Sequence, residues 1–292
     1  MATYNITSQQ LKDQGILNSF EIPAAGGSSF TNTYSALFTG ATNEKIDTGD
    51  SFKPSRSSSF SISSWVKFDG TIHGPNDMIL IKMSSGRGAV FRGYVLRSNE
   101  DTGISFGLQA VGTNSIINGS AAHSGSNALV PTKGQWNHIV STYNGNLSGS
   151  GINIYINGVS CVSQSAGGDI VQFSGNQYPT PNTLDLSQGE IQDTSALTIG
   201  SRGGGAGSVW SGSIDEVVLF NGELAQSDVT ALYNDGVPNL ATGIDYSKGN
   251  ISIAHYYRMG DNDGGTGTTV TDQVGSANGT LFFMNFEEDV PS

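Results

Sequence analysis

Short apolar runs alternate with polar positions along most of this chain, and their spacing is two rather than three or four. The run FSISSWVKF sets Phe60, Ile62, Ser64, Val66 and Phe68 against Ser61, Ser63, Trp65 and Lys67, which is the period of a strand. The same reasoning predicts strands at YSALF from Tyr34, at KIDTG from Lys45, and over 78–82, 90–97, 104–109, 136–143, 152–156, 196–199, 251–257 and 279–283. Turns rich in Gly, Asn and Ser separate them. Within YINGV, Asn157-Gly158 supplies the two positive-φ positions of a type I′ hairpin. The segment GSIDEVVLFNGELAQSDVTALYNDG, from Gly212 to Gly236, reads as a strand, a turn and one short helix, with Ser227 as N-cap and Gly236 as stop. Strict alternation places Ile214, Glu216, Val218 and Phe220 on one side of that strand, and Asp215, Val217 and Leu219 on the other. Many short strands with a single helix predict an all-β antiparallel sandwich carrying one helical plug.

Two stretches, 112–134 and 163–193, lack periodicity and are rich in Gly, Ser, Asn, Gln and Thr. They are expected to be long loops or small added hairpins, the places on a rigid sandwich where recognition usually resides. Near the N-terminus, 8–14 suits a short helix stopped by Gly15, and PAAGGSS from Pro23 is a linker by composition. The expected organisation is an N-terminal arm (1–30), a sandwich (31–240) and a C-terminal extension (241–292) whose strands pack on the sandwich or on a neighbour. The arms are expected to engage sister subunits.

Composition narrows the partners. With 25 acidic and 13 basic residues among 292, the formal charge is −12. Binding nucleic acid through phosphates needs basic surface, and so does adhesion to an anionic bilayer, so neither is expected. A single cysteine, Cys161, precludes an intrachain disulfide. The start MATYNITSQQLKDQG has neither the basic region nor the apolar core of a secretory signal, so synthesis in the cytoplasm is expected. No apolar run reaches the ~20 residues that span a bilayer, and no membrane insertion is expected.

Three segments in order carry a family pattern. FSISSWVKFDG, then GQWNHIVSTYNG with INIYINGV, then LTIGSRGGG…WSGSIDEVVLFNGELAQSDVTALYNDG together resemble laminin-G-like domains of the concanavalin A-like lectin/glucanase family. The resemblance covers roughly Tyr34 to Gly236 and implies a jelly-roll of two curved antiparallel sheets with a carbohydrate-binding or structural role. The tail HYYRMGDNDGGTGTTVTDQVGSANGTL and the opening NTYSALFTG are similar to segments flanking such domains in virion proteins of marine bacteriophages. That implies a virion location, other virion proteins and a homo-oligomer as partners, and a host surface glycan as ligand. A secreted bacterial lectin or polysaccharide-binding module is the alternative.

Candidate chemistry is sparse. Glycoside hydrolysis needs two carboxylates facing one sugar, about 5–10 Å apart. Glucanases of this fold carry them as E-x-D-x-x-E or E-x-D-x-E on one strand, and this chain has no such spacing. Asp215 and Glu216 are adjacent and are expected on opposite faces. No nucleophile elbow, zinc-protease helix or phosphate-loop lysine is present, and a non-enzyme is expected. The resemblance gives Asp215 the place of an aspartate that helps hold a structural calcium, with a carbonyl from the Gly40 turn. Asp261 and Asp263 in DNDGG offer further oxygen ligands of the kind calcium takes. For sugar stacking the candidates are Trp210, in a glycine-rich loop, then Tyr178 with Asn176.

Overall fold

In the computed structural model the alternating runs pair into two stacked sheets. The structure describes residues 31–69, 77–85, 91–99, 103–109, 116–120, 131–147, 151–161, 191–192, 194–202 and 209–291. The first sheet holds β1 (Ser35–Thr39), β3 (Phe60–Phe68), β8 (Trp136–Tyr143), β9 (Ile152–Ile156), β10 (Val159–Ser160), β12 (Ser211–Asn221), β13 (Ser252–Tyr257) and β16 (Asn285–Glu287). Its order is β10-β9-β8-β3-β12-β1-β16, with β13 also paired to β12. The second sheet holds β2 (Lys45–Asp47), β4 (Asp77–Ser85), β5 (Phe91–Asn99), β6 (Gly103–Gln109), β7 (Ile116–Ser120), β11 (Thr198–Ile199), β14 (Thr269–Val270) and β15 (Gly279–Phe282). Its order is β14-β15-β2-β11-β4-β5-β6-β7. Every pairing is antiparallel. This is the jelly-roll sandwich that the sequence predicts.

Period two sorts the side chains into layers. Phe60, Ile62 and Val66 of β3, Ile139 and Tyr143 of β8, and Ile152, Ile154 and Ile156 of β9 point between the sheets, meeting Leu80, Tyr94, Leu96, Phe106 and Leu108 of the second sheet. Phe60 is the aromatic hub: its ring lies 5.5–5.9 Å from those of Phe52, Tyr94, Phe106 and Tyr143. The opposite face of the first sheet is covered by α1 (Gln226–Tyr233), with Val229 and Leu232 seated on Val140, Tyr155, Val218, Phe220 and Tyr256. His138 belongs to that face. Burial pushes its imidazole down to about 3, and the ring packs against Trp65 and Tyr233 with Nε2 on the Ser63 hydroxyl at 2.8 Å.

Strands 60–68, 136–143 and 152–156 fall on the predicted residues. At the hairpin, Asn157 and Gly158 both take positive φ (51° and 77°). The helix differs at its start. It begins at Gln226, and Ser227 is solvent-exposed. Asp228 instead accepts the Ala225 N–H at 2.8 Å and reaches across to the backbone and hydroxyl of Ser247. A cap that also tethers a distant loop outcompetes a local serine. β7 lies within the stretch expected to be loop or added hairpin, while β14 and β16 are too short to show a period. The predicted arm 1–30 lies outside the described residues.

Phe60 is fully buried at the hub, so Phe60→Ala removes its transfer free energy and leaves a cavity. The expected loss is about 3–5 kcal/mol in denaturant titration. Phe283→Ser, at a site 81% exposed, is expected to stay within about 0.5 kcal/mol of wild type.

Candidate functional site

β12 is the strand on which the first sheet depends. One edge pairs with β3 along its length. The other edge is shared: Ser211–Ile214 pair with β1, and Val217–Asn221 pair with β13. Between the two partners lie Asp215 and Glu216. The register with β3 slips between Asp215 and Val218, and Glu216 has φ 46°. This is a β-bulge whose extra residue sits in the left-handed region, where a long side chain is uncommon. The bulge corrects the expected alternation. Ile214 shares the inner face with Val217 and Leu219, while Val218 and Phe220 face the helix. It also overturns the separation of Asp215 from Glu216, because their carboxyls now belong to one buried cluster.

That cluster is built from three parts of the chain. Glu216 accepts from Arg258 Nε at 3.0 Å and from the Tyr256 hydroxyl. Arg258 Nη2 also reaches Asp261 Oδ2 at 3.0 Å and the Thr31 carbonyl at 2.6 Å. Asp215 accepts the Asn32 amide on Oδ2 and the Glu216 backbone N–H on Oδ1, each at 2.8 Å. The Thr33 N–H is shared between both oxygens of Asp261, each at 3.1 Å. Asp215 is 0% exposed and Glu216 3%.

Burial first, and then the neighbouring Glu216 carboxyl, push Asp215 well above the usual carboxylate range. Burial raises Glu216 to about 7, against the opposing pull of Arg258 and Tyr256. Asp261 is also raised, by burial. For Arg258, burial works to lower the guanidinium, but Glu216 and Tyr256 outweigh it and the net shift is upward. These acids spend their oxygens on internal donors, and none offers an open face to a substrate.

The two calcium candidates, Asp215 with Gly40 and Asp261 with Asp263, are each drawn apart. Register places Gly40 one step past the Thr39–Ser211 pair, at the far end of β1 from Asp215, about 16 Å away at ~3.3 Å per residue. Asp263 serves a separate turn, accepting the Thr271 N–H at 2.9 Å and the Thr271 hydroxyl. Only Asp261 joins Asp215. Calcium takes 6–8 oxygens at about 2.3–2.6 Å, whereas the oxygens of Asp215 and Asp261 face N–H donors. Among the described residues no three of His, Cys, Asp and Glu are gathered to hold an ion. The cluster does not fit a calcium site. A second acidic knot, at Asp272, is equally internal: it accepts His255 Nδ1 at 2.7 Å and the backbone N–H groups of Tyr256, Val274, Gly275 and Ala277. Burial alone would raise its carboxyl, but these donors hold it well below the usual range.

The aromatic candidates divide differently. Trp210 is 1% exposed and packs on Phe68 with ring centroids 4.7 Å apart, so it is core and presents no ring face for a sugar. Asn176 and Tyr178 lie outside the described residues. Among the described residues, the exposed phenylalanines are Phe282 (37% exposed) and Phe283 (81% exposed), where β15 turns into β16. Phe283 has φ 59°, a left-handed conformation for a bulky residue. Lys45 Nζ lies 5.0 Å from the centroid of the Phe282 ring and 2.8 Å from Asp47 Oδ2. Cross-strand pairing puts Phe282 opposite Lys45 and Thr280 opposite Asp47. An aromatic face, an ion pair and a hydroxyl therefore share one patch on the outer face of the second sheet. Sequence reading missed this patch because FF at the end of an apolar strand looks like core.

Glu216 holds its proton more tightly folded than unfolded. It therefore contributes stability that is whole below its ordinary 4.5 and is lost as pH rises through about 7. Glu216→Gln lacks that titration. The melting temperature of wild type minus variant is expected to fall by roughly 2–5 °C between about pH 4.5 and about pH 8. A flat difference would show an ordinary carboxyl.

Residues 38–180 match the family described as the concanavalin A-like lectin/glucanases superfamily. No curated protein matches the sequence. Among solved structures, a protein of Bacteroides ovatus provisionally described as carbohydrate binding aligns with a TM-score of 0.52 at 18% identity. The alignment covers 90% of this chain, which spans 62% of that protein's length. The heptameric SAP-like pentraxin of Limulus polyphemus (14% identity, TM-score 0.45) aligns over 77% of this chain and 94% of its own. The CBM40 of the Ruminococcus gnavus IT-sialidase, bound to α2,3-sialyllactose, aligns at 11% identity and TM-score 0.43 over 68% of this chain and 97% of its own. At those two scores neither bears on fold or function. The sandwich agrees with the sequence match, and residues 38–180 are similar to the concanavalin A-like lectin/glucanases superfamily.

Proposed function

We propose that this protein is a non-catalytic carbohydrate-binding module that works by attachment. The observation that carries this reading is the fate of its clustered acids. In a fold shared by lectins and glucanases, Asp215, Glu216 and Asp261 are turned inward and tied to Arg258, Asn32 and backbone donors. A hydrolase needs an acid and a base that both reach the sugar, and these cannot. Binding asks for less: an aromatic face for the apolar side of a pyranose, with charged and hydroxyl groups beside it for the ring hydroxyls. Phe282, Phe283, Lys45, Asp47 and Thr280 supply that combination.

In its finer form the reading is a bacteriophage virion component (decoration, fibre or appendage) that docks to other virion proteins and sister subunits and grips a host surface glycan. The support is the likeness of NTYSALFTG and HYYRMGDNDGG to segments of virion proteins. A secreted bacterial lectin would use the same patch, and the fold shared with the Bacteroides ovatus protein favours that second reading. Locating the subunit in purified particles, or in culture supernatant, separates the two.

On a glycan array the chain is expected to retain a subset of glycans, and incubation with β-glucans to release no reducing ends. Phe282→Ala and Phe283→Ala are each expected to weaken retention about tenfold, the loss of roughly 1.4 kcal/mol of ring contact, with an unchanged melting temperature. Reducing ends would overturn the non-catalytic reading. Retention indifferent to both substitutions would move the site off this patch.

A further inference from the structure

We infer that the Arg258 guanidinium, with the Asn32 amide, takes the place of a metal cation among Asp215, Glu216 and Asp261, and in doing so latches residues 31–33 to β12 and to the turn after β13. Those three residues precede β1 and belong to no strand. Each is nevertheless held, and each by a different buried group. The Thr31 carbonyl accepts Arg258 Nη2 at 2.6 Å, the Asn32 amide donates to Asp215 at 2.8 Å, and the Thr33 N–H donates to Asp261 at 3.1 Å. Arg258 closes the circuit by binding Glu216 on the bulge and Asp261 three residues downstream. The set joins the start of the sandwich, the middle of β12 and the turn after β13.

The chemistry is that of a cation site read through nitrogen. A hard metal ion gathers carboxylate and carbonyl oxygens around one centre. Arg258 gathers two carboxylates and one carbonyl around a planar fork of N–H donors, a task guanidinium performs better than ammonium because its donors are fixed and its charge is spread. The third acid, Asp215, meets only neutral donors. A divalent ion added here would displace those donors and sit beside a fixed positive charge. Side chains, rather than a strand ladder, therefore hold the backbone at 31–33, and that hold depends on Arg258 and needs no metal.

The test uses the full chain. Melting temperature is measured with excess chelator and with millimolar calcium, and exchange of the Thr33 amide hydrogen is followed in both. No shift in either quantity is expected for wild type. In Arg258→Gln the Thr33 amide is expected to exchange about tenfold faster while amides of β3 and β8 keep their protection, because only the latch has opened. Arg258→Lys, which keeps the charge and loses the fork, is expected to fall between the two. Calcium that raises the wild-type melting temperature or slows Thr33 exchange would overturn the inference. So would Arg258→Gln with Thr33 exchange unchanged. The wild-type metal measurement decides the matter even where a variant fails to fold.

Discussion

A strand flanked on one edge by two different partners must have a seam between them, and the seam in β12 sets much of this molecule's chemistry. β1 leaves at Ile214 and β13 arrives at Val217, so Asp215 and Glu216 have no strand beside them on that edge. Backbone polar groups removed from water need partners, and a bulge with two acidic side chains in a closed interior would be costly if left alone. Arg258, Tyr256 and Asn32 meet that cost. Tyr256 lies in β13, Arg258 just after it and Asn32 just before β1, so the elements that create the seam also fill it.

This arrangement explains why acids on the closing strand of a glucanase-like fold need not cut sugar. Reactivity requires a carboxyl that can exchange a proton with something bound in a cleft. Asp215 and Glu216 have raised proton affinities of the sort often seen in active sites, yet the cause here is enclosure with internal partners. Raised affinity marks burial first, and only access to solvent makes it chemistry. An accessible chemistry of another kind lies on the second sheet, where the Phe282 ring sits beside Lys45 and its partner Asp47.

Much of the fold was legible because alternation is a local property. A nine-residue strand such as β3 shows its inner and outer faces in its own letters, and the Asn157-Gly158 turn needs no outside information. The site was less legible because its geometry is decided over long separations. Nothing in SIDEVVLF announces that Glu216 adopts φ 46°; that conformation answers to Arg258, 42 residues later. The glycines around Trp210 make it a sugar-stacking candidate and leave core packing equally open, and only the ring of Phe68, far away in sequence, decides for the core. Phe283 was read with the strand before it, and its exposure follows from a turn between sheets that no periodicity encodes. Arg258 lay within a recognisable motif, although its role became visible only once its acids were assembled around it.

The pairing of β1 with β16 has one more consequence. Ser35 lies opposite Glu287, so the sandwich opens and closes at the same spot, 252 positions apart along the chain. A unit whose two ends emerge side by side behaves as a cassette. It can be spliced into an exposed loop of a carrier polypeptide without stretching that carrier, and cut and rejoined elsewhere on its surface with its topology intact. Tension applied across the two ends would pull first on the short β1–β16 seam rather than through the aromatic hub, so the body would hang from its tether as a rigid bob.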